Sequence, residues 1–141
     1  MTRNRSAALV LAAFVFAASA HADEKFRGRL YPVPIDQSLR AEVTGNGSIA
    51  AVLDGHKLSI TGTFQGLRSA ATMAQLHQSP VTGVRGPVIL DLTVSKASSG
   101  SVNGSFELTD EQANLLRKGR LYVQIHSEKA PDGNLWGWLL H

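Results

Sequence analysis

Short runs of alternating apolar and polar residues, cut roughly every 8–12 positions by glycine, asparagine or aspartate, constrain this chain more than any other feature. A period of two sends successive side chains to opposite faces of a strand, and its repetition along a chain directs an all-β architecture. In His56 to Phe64, Leu58, Ile60 and Phe64 share one face while Lys57, Ser59, Thr61 and Thr63 take the other. Ser48 to Leu53 precedes this run, and Asp54-Gly55 between them signals a hairpin, because tight hairpin turns favour positive φ at their central positions. Farther on, Val88, Leu90, Leu92 and Val94 read as inward, Asp91 and Thr93 as outward, with Pro87 at the strand start. Lys96 to Gly104 reads as a loop leading into Ser105 to Leu108.

The period then changes. Thr109-Asp-Glu-Gln112 matches a capping box, in which the threonine accepts from the first turn and the glutamine reaches back. Ala113 and Leu116, with Leu115 beside them, give the helix a buried stripe, and Gly119 supplies a left-handed stop. So short a helix is a lid on one end of the β structure rather than a layer of it. Leu121, Val123 and Ile125 next alternate with Tyr122, Gln124 and His126, and Pro131-Asp-Gly-Asn134 offers turn chemistry before a last strand. Trp136, Trp138 and Leu140 share one face of that strand; the tryptophans read as core or rim packing in preference to a stacking platform for a sugar or peptide.

Residues 1–22 read as a secretory signal peptide. Arg3 and Arg5 precede the apolar run Ala7 to Ala18, and small residues follow, with cleavage after Ala20 or Ala22, the second favoured. The run is shorter than the roughly 20 residues that span a bilayer, so no stable membrane span is expected after cleavage, and the protein is expected in the periplasm or secreted. Residues 23–38, interrupted by Pro32 and Pro34, read as an N-terminal arm or edge strand, and 39–141 as one β domain. The chain carries 14 basic and 11 acidic residues. Arg3 and Arg5 leave with the leader, so 12 against 11 remain, a net +1. Such a balance gives no reason to expect nucleic acid, which needs a concentrated basic face, and the Arg117-Lys118-Gly119-Arg120 cluster sits where cations offset the helix dipole. With no cysteine, a disulfide framework and thiol chemistry are excluded.

Four blocks, in order, carry a resemblance: Leu58 to Leu67; Ala74-Gln-Leu-His77 followed by Gly86-Pro-Val88; Leu108 to Leu115; and Gly119 to His126 followed by Pro131-Asp-Gly-Asn-Leu-Trp-Gly137. Together they resemble the CHRD (chordin-type) domain family. The resemblance implies a secreted, all-β, immunoglobulin-like Greek-key β-sandwich with one short helix near the C-terminal third. Its bacterial members mostly lack an assigned activity, and its animal namesake regulates growth-factor signalling outside the cell. Fold likeness does not carry function across that distance.

Where such domains typically read Ala-His-Ile-His, this chain reads Ala74-Gln75-Leu76-His77. Residues 75 and 77 project from one strand face, so an intact histidine pair there suits one metal ion. His77 and His126 remain as a two-ligand remnant for copper or zinc, with His56, His141 or the C-terminal carboxylate as the third donor if the fold gathers them; otherwise they are polar residues satisfied by backbone carbonyls or carboxylates. The layout resembles copper/zinc superoxide dismutase, without its larger ligand set. No Gly-x-Ser-x-Gly elbow, His-Glu-x-x-His pair, phosphate loop or paired carboxylate is present, so no catalytic residue is assigned. Two functions follow: a non-enzymatic binding or structural module for a periplasmic or extracellular protein or glycan, touched through the loops Gln78 to Arg85 and Lys96 to Gly104 and through exposed sheet edges; or, as the alternative, a metal-binding, dismutase-like protein.

Overall fold

In a computed structural model, residues 22–141 are described, together with Ala13 and Val15; the leader reading falls mainly outside the described residues. The strands are β1 (Glu24–Pro32), β2 (Asn46–Asp54), β3 (Lys57–Gln65), β4 (Ala71–Gln78), β5 (Val88–Val94), β6 (Gly100–Glu107), β7 (Leu121–Ser127) and β8 (Ala130–Trp138), with one helix, α1 (Asp110–Arg117), between β6 and β7. All neighbours pair antiparallel, in the order β1-β2-β3-β6-β5-β4-β7-β8, and the ring closes.

Closure overturns the immunoglobulin-like Greek-key sandwich. The two layers, β1-β2-β3-β6 and β5-β4-β7-β8, are stitched at both edges. Thr93 and Val94 pair with Asn103 and Val102 at one seam. At the other, Tyr31 and Pro32 pair with Trp136 and Leu135, and Arg27 bridges Leu140. Alternation reads the same in an open layer and a closed one; what decides is whether distant strand ends come close enough to bond. Gly137 permits it here, since a Cβ at that position would stand 2.7 Å from the Arg29 carbonyl oxygen across the seam. Of the segment 23–38, residues 24–32 form β1, and Val33 onward lies over the outside of the barrel, its N–H donating to the Asn134 carbonyl at 3.1 Å.

The inward residues of the alternation fill the barrel: Phe26, Leu30, Leu58, Ile60, Leu76, Val123, Ile125 and Leu135 are all but fully buried, and Ala113 and Leu116 of α1 join them. Burying a side chain of this size stabilises by about 1.5–3 kcal/mol. The capping box forms as the sequence directs, with Gln112 N–H donating to Thr109 Oγ1 (3.1 Å) and Thr109 N–H to Gln112 Oε1 (3.0 Å). Gly119 (φ +70) ends the helix in a Schellman arrangement, Arg120 N–H reaching Leu115 O and Gly119 N–H reaching Leu116 O.

Three local expectations shift. Asp54 pairs with Lys57, so the β2–β3 turn is Gly55-His56, with Gly55 at φ +62 in its first central position. Between Leu76 and His77 the register against β5 slips by one residue, leaving Ile89 unmatched and turning Val88 outward, 47% exposed. Pro131 to Asn134 is a broad bulge inside β8 rather than the turn, because Ser127 pairs with Ala130 and the chain reverses at Glu128-Lys129. Pro131 has no N–H to offer a ladder, and Gly133 takes φ +132.

Candidate functional site on the outer face of β4, β7 and β8

The outward residues of β4 and β7, which alternation leaves to solvent, are instead largely buried. Register sets them in rows: His77 opposite Tyr122 opposite Trp138; Gln75 opposite Gln124 opposite Trp136; and Met73 opposite His126. His77, Gln124 and His126 are only 7%, 3% and 8% exposed. Two covers seal them. The segment from Val33 to Val43 packs its valines with Tyr122, Trp136 and Trp138 into a second apolar cluster. The β4–β5 connection, Ser79 to Pro87, forms a flap.

The flap is held by bonds that depend on the site. His77 Nδ1 lies 2.9 Å from the Gly86 carbonyl, so it carries the proton and Nε2 keeps the lone pair. The Tyr122 hydroxyl accepts from Gly86 N–H at 2.9 Å, and its ring stacks on His77 with centroids 4.8 Å apart and planes 17° apart. Ser79 Oγ sits between the carbonyls of Val81 and Val84 within the flap and shares its one proton between them. Arg85 Nη1 donates to Asp132 O (3.0 Å), latching the flap to the β8 bulge, and Thr82 Oγ1 donates to Gly119 O (2.8 Å). Burial holds the His77 pKa below its ordinary value; the Gly86 carbonyl opposes that shift, and the Arg85 guanidinium reinforces it. His77 is therefore a neutral imidazole at pH 7.

Four buried polar atoms here lack a protein hydrogen-bond partner: His77 Nε2, Gln124 Oε1, Trp136 Nε1 and Trp138 Nε1. His126 Nδ1 donates to Pro131 O (2.7 Å), and Gln124 Nε2 donates to His126 Nε2 (3.2 Å). His77 and His126 thus share a face but stand four residues apart in register, about 13 Å along the strands, with the Gln75–Gln124 row between them. Neither further histidine joins them. His56, on the β2–β3 turn, binds Asp110 at 2.5 Å, and His141 lies against Phe26 with ring centroids 4.2 Å apart. Among the described residues no three histidine or carboxylate side chains gather as a metal-binding group, so these donors do not fit a copper or zinc chelate. Gln75, standing where the related pattern has histidine, donates to Asp91 Oδ1 at 3.0 Å.

Of the two loops expected to meet a partner, Lys96 to Gly104 is tied down: Leu67 and Ala71 N–H donate to Ser98 and Ala97, and β6 starts at Gly100. The flap instead borders a groove of about 270 Å³ lined by Arg29, Tyr31, Thr82, Gly83, Trp138 and Leu140. Tyr31 and Leu140 on its rim are 44% and 45% exposed, and Val81 and Val84 of the flap are exposed too. The sequence reading missed Tyr31 and Tyr122. Tyr31's place two residues beyond Arg29 in one alternating run was the available signal.

A closed antiparallel barrel with a sealed polar–aromatic outer face and a groove rimmed by exposed apolar side chains defines a small β-barrel module. The CHRD domain family matches residues 33–139, most of the chain, and the chain belongs to that family. No curated protein and no solved structure matches it. No helix among the described residues is long and apolar enough to cross a membrane.

Proposed function

We propose that this chain is an exported, non-enzymatic binding module that receives an apolar side chain of a periplasmic or extracellular protein in the groove between the flap and β1. Exposed Tyr31 and Leu140 on a groove that Trp138 also lines, together with the exposed Val81 and Val84 that flank its Thr82 and Gly83 in sequence, carry this reading. Apolar side chains of this size cluster at the surface where a partner covers them, and tyrosine, tryptophan and arginine are the residues that anchor protein interfaces. Barrel closure consumes most of the sheet edges that a sandwich would have offered, so recognition runs through side chains rather than strand addition. The leader-like residues 1–22 support export. The test is site-specific photo-crosslinking from positions 31 and 140 in intact cells, with localisation by fractionation. A single protein crosslinked from both positions, and lost in a Val81→Ser, Val84→Ser variant, is the expected result. Crosslinks that do not respond to that variant, or protein retained in the cytoplasm, would sink the reading.

A further inference from the structure

A second surface lies on the outer face of β1, β2 and β3 and shares Gly28, Arg29 and Tyr31 with the groove. Lys25, Arg27 and Arg29 alternate with the buried Phe26 and Leu30, so all three point outward from β1. Register continues their rows across the sheet: Lys25 to Val52 and Ser59, Arg27 to Ala50 and Thr61, Arg29 to Ser48 and Thr63. β6 extends the rows with Ser105, Asn103 and Ser101. Three cations therefore stand in line, roughly 6.7 Å apart, beside a floor of small hydroxyls and amides that contains no acidic side chain. None of the three is ion-paired among the described residues; Glu24, the nearest carboxylate along the strand, is held in a fork by Arg117 at 2.8–3.1 Å.

The face is also hollow. A groove of about 560 Å³ runs over Arg27, Arg29, Ser48, Thr61 and Thr63, and a second of about 610 Å³ continues it past Arg29 to Tyr31, Asn46 and Gln65. They share Arg29, Ser48 and Thr63, so they form one trough along the long side chains of β1.

We infer that this trough binds an extended carboxylate-bearing glycan. Planar guanidinium groups pair with carboxylates through a fork of two hydrogen bonds, and repeated cations in a row suit a polymer with repeated anions. The hydroxyl and amide floor matches sugar hydroxyls, and Tyr31 at the end of the row gives an aromatic face for a ring. An acidic protein partner fits less well, because interface cores want apolar anchors and the floor offers only the half-buried Val52 and Ala50. Single-stranded nucleic acid uses successive aromatic platforms, and the three rows contain none. β1 precedes the residues matched by the family, which begin at 33.

Oligogalacturonate is the probe, with its methyl ester as the uncharged counterpart, measured by calorimetry on the chain from residue 23 at 50 and 500 mM NaCl. The expected result is binding to the acid form only, weakened at least tenfold by the added salt and at least fivefold by Lys25→Ala with Arg27→Ala. Thr61→Glu, which sets a carboxylate in the trough without removing a cation, produces a similar loss, and circular dichroism verifies that both variants keep the fold. Val81→Ser with Val84→Ser leaves glycan binding unchanged, which separates this surface from the groove. Equal binding of the ester, wild-type affinity in the double alanine variant, or equally tight binding of a thymidine oligonucleotide of the same charge would overturn the inference.

Discussion

Replacing Gly137 by alanine tests barrel closure directly. A Cβ at this position would stand 2.7 Å from Arg29 O, 3.0 Å from Leu30 Cδ2 and 3.1 Å from Ile49 Cδ1, atoms of β1 and β2 across the seam from β8. Carbon–oxygen contacts settle at about 3.3 Å, so the seam must open by roughly 0.6 Å. Overpacking of that kind costs about 1–3 kcal/mol. The Arg27–Leu140 backbone pair at the same seam, at 2.7 and 3.0 Å, then lengthens, and each weakened bond costs about 0.5–1.5 kcal/mol. Against this, alanine stiffens the unfolded chain, a gain of about 0.4–1 kcal/mol, because Gly137 does not need the left-handed region. The net loss is about 2–3 kcal/mol, roughly 10 °C in Tm for a domain of this length. Urea unfolding followed by fluorescence of Trp136 and Trp138 reads it. A variant as stable as wild type, with an unchanged m-value, would mean that β1 does not press on β8, and the closed barrel would be refuted.

Thr109→Ala removes the capping box and is expected to cost about 1 kcal/mol, with Thr109→Asp recovering most of it; equal midpoints in thermal unfolding would contradict the cap. Asn134, fully buried, accepts from Ser127 Oγ and donates to Thr44 O, both at 2.8 Å, so Asn134→Ala is expected to cost about 2–4 kcal/mol by leaving those groups unpaired. Adding Ser127→Ala should cost little more, and a fully additive double-mutant cycle would contradict the pairing. His77 sets an acid limit. Its folded pKa lies below 6.5, so below pH 6.5 the unfolded chain binds the extra proton first, and stability falls as pH drops through the folded pKa while remaining level above 6.5. His77→Phe should flatten the stability–pH curve in that window; an unchanged slope would show that His77 is not buried neutral.

The strands of the alternating runs were legible: Leu58, Ile60 and Phe64 face the core as their spacing directs, and the capped helix starts and stops where Thr109 and Gly119 place it. Closure was not, because it depends on Tyr31 meeting Trp136 from opposite ends of the chain, and no local period reports that. Bulges hid in the same way. Pro131 and Gly133 look like turn residues, and only the pairing of Ser127 with Ala130 makes them a bulge. The outer face of β7 is covered by the flap, some forty residues earlier in sequence, and by the 33–43 segment, some eighty earlier, so the alternation of β7 rightly marks two faces while giving no hint that both are covered. The basic stripe was overlooked for a different reason. Lys25, Arg27 and Arg29 are spaced by two and form no run, and Pro32 and Pro34 nearby argued against a full strand. Pro32 in fact occupies the last position of β1, where a missing donor costs the ladder nothing.

Both proposed surfaces meet on β1, yet they depend on it differently. The trough spans β1, β2 and β3, which pair along their length: seven register pairs join β1 to β2 alone. The groove instead crosses from β1 to β8 and the flap, where two register pairs and one bridge hold the seam. A ligand in the groove needs that seam shut, and so its binding free energy adds to closure; a ligand in the trough rests on a sheet that stays intact if the seam loosens. At a hundred times its Kd, a groove ligand contributes about 2.7 kcal/mol to the folded state, comparable to the strain that Gly137→Ala introduces. The same substitution therefore separates the two surfaces: partner capture in the groove weakens with the seam, while glycan binding in the trough persists. Loss of both together would mean that Gly137→Ala disrupts the β1–β2 pairing as well, and that the barrel opens as one cooperative unit rather than at its weakest edge.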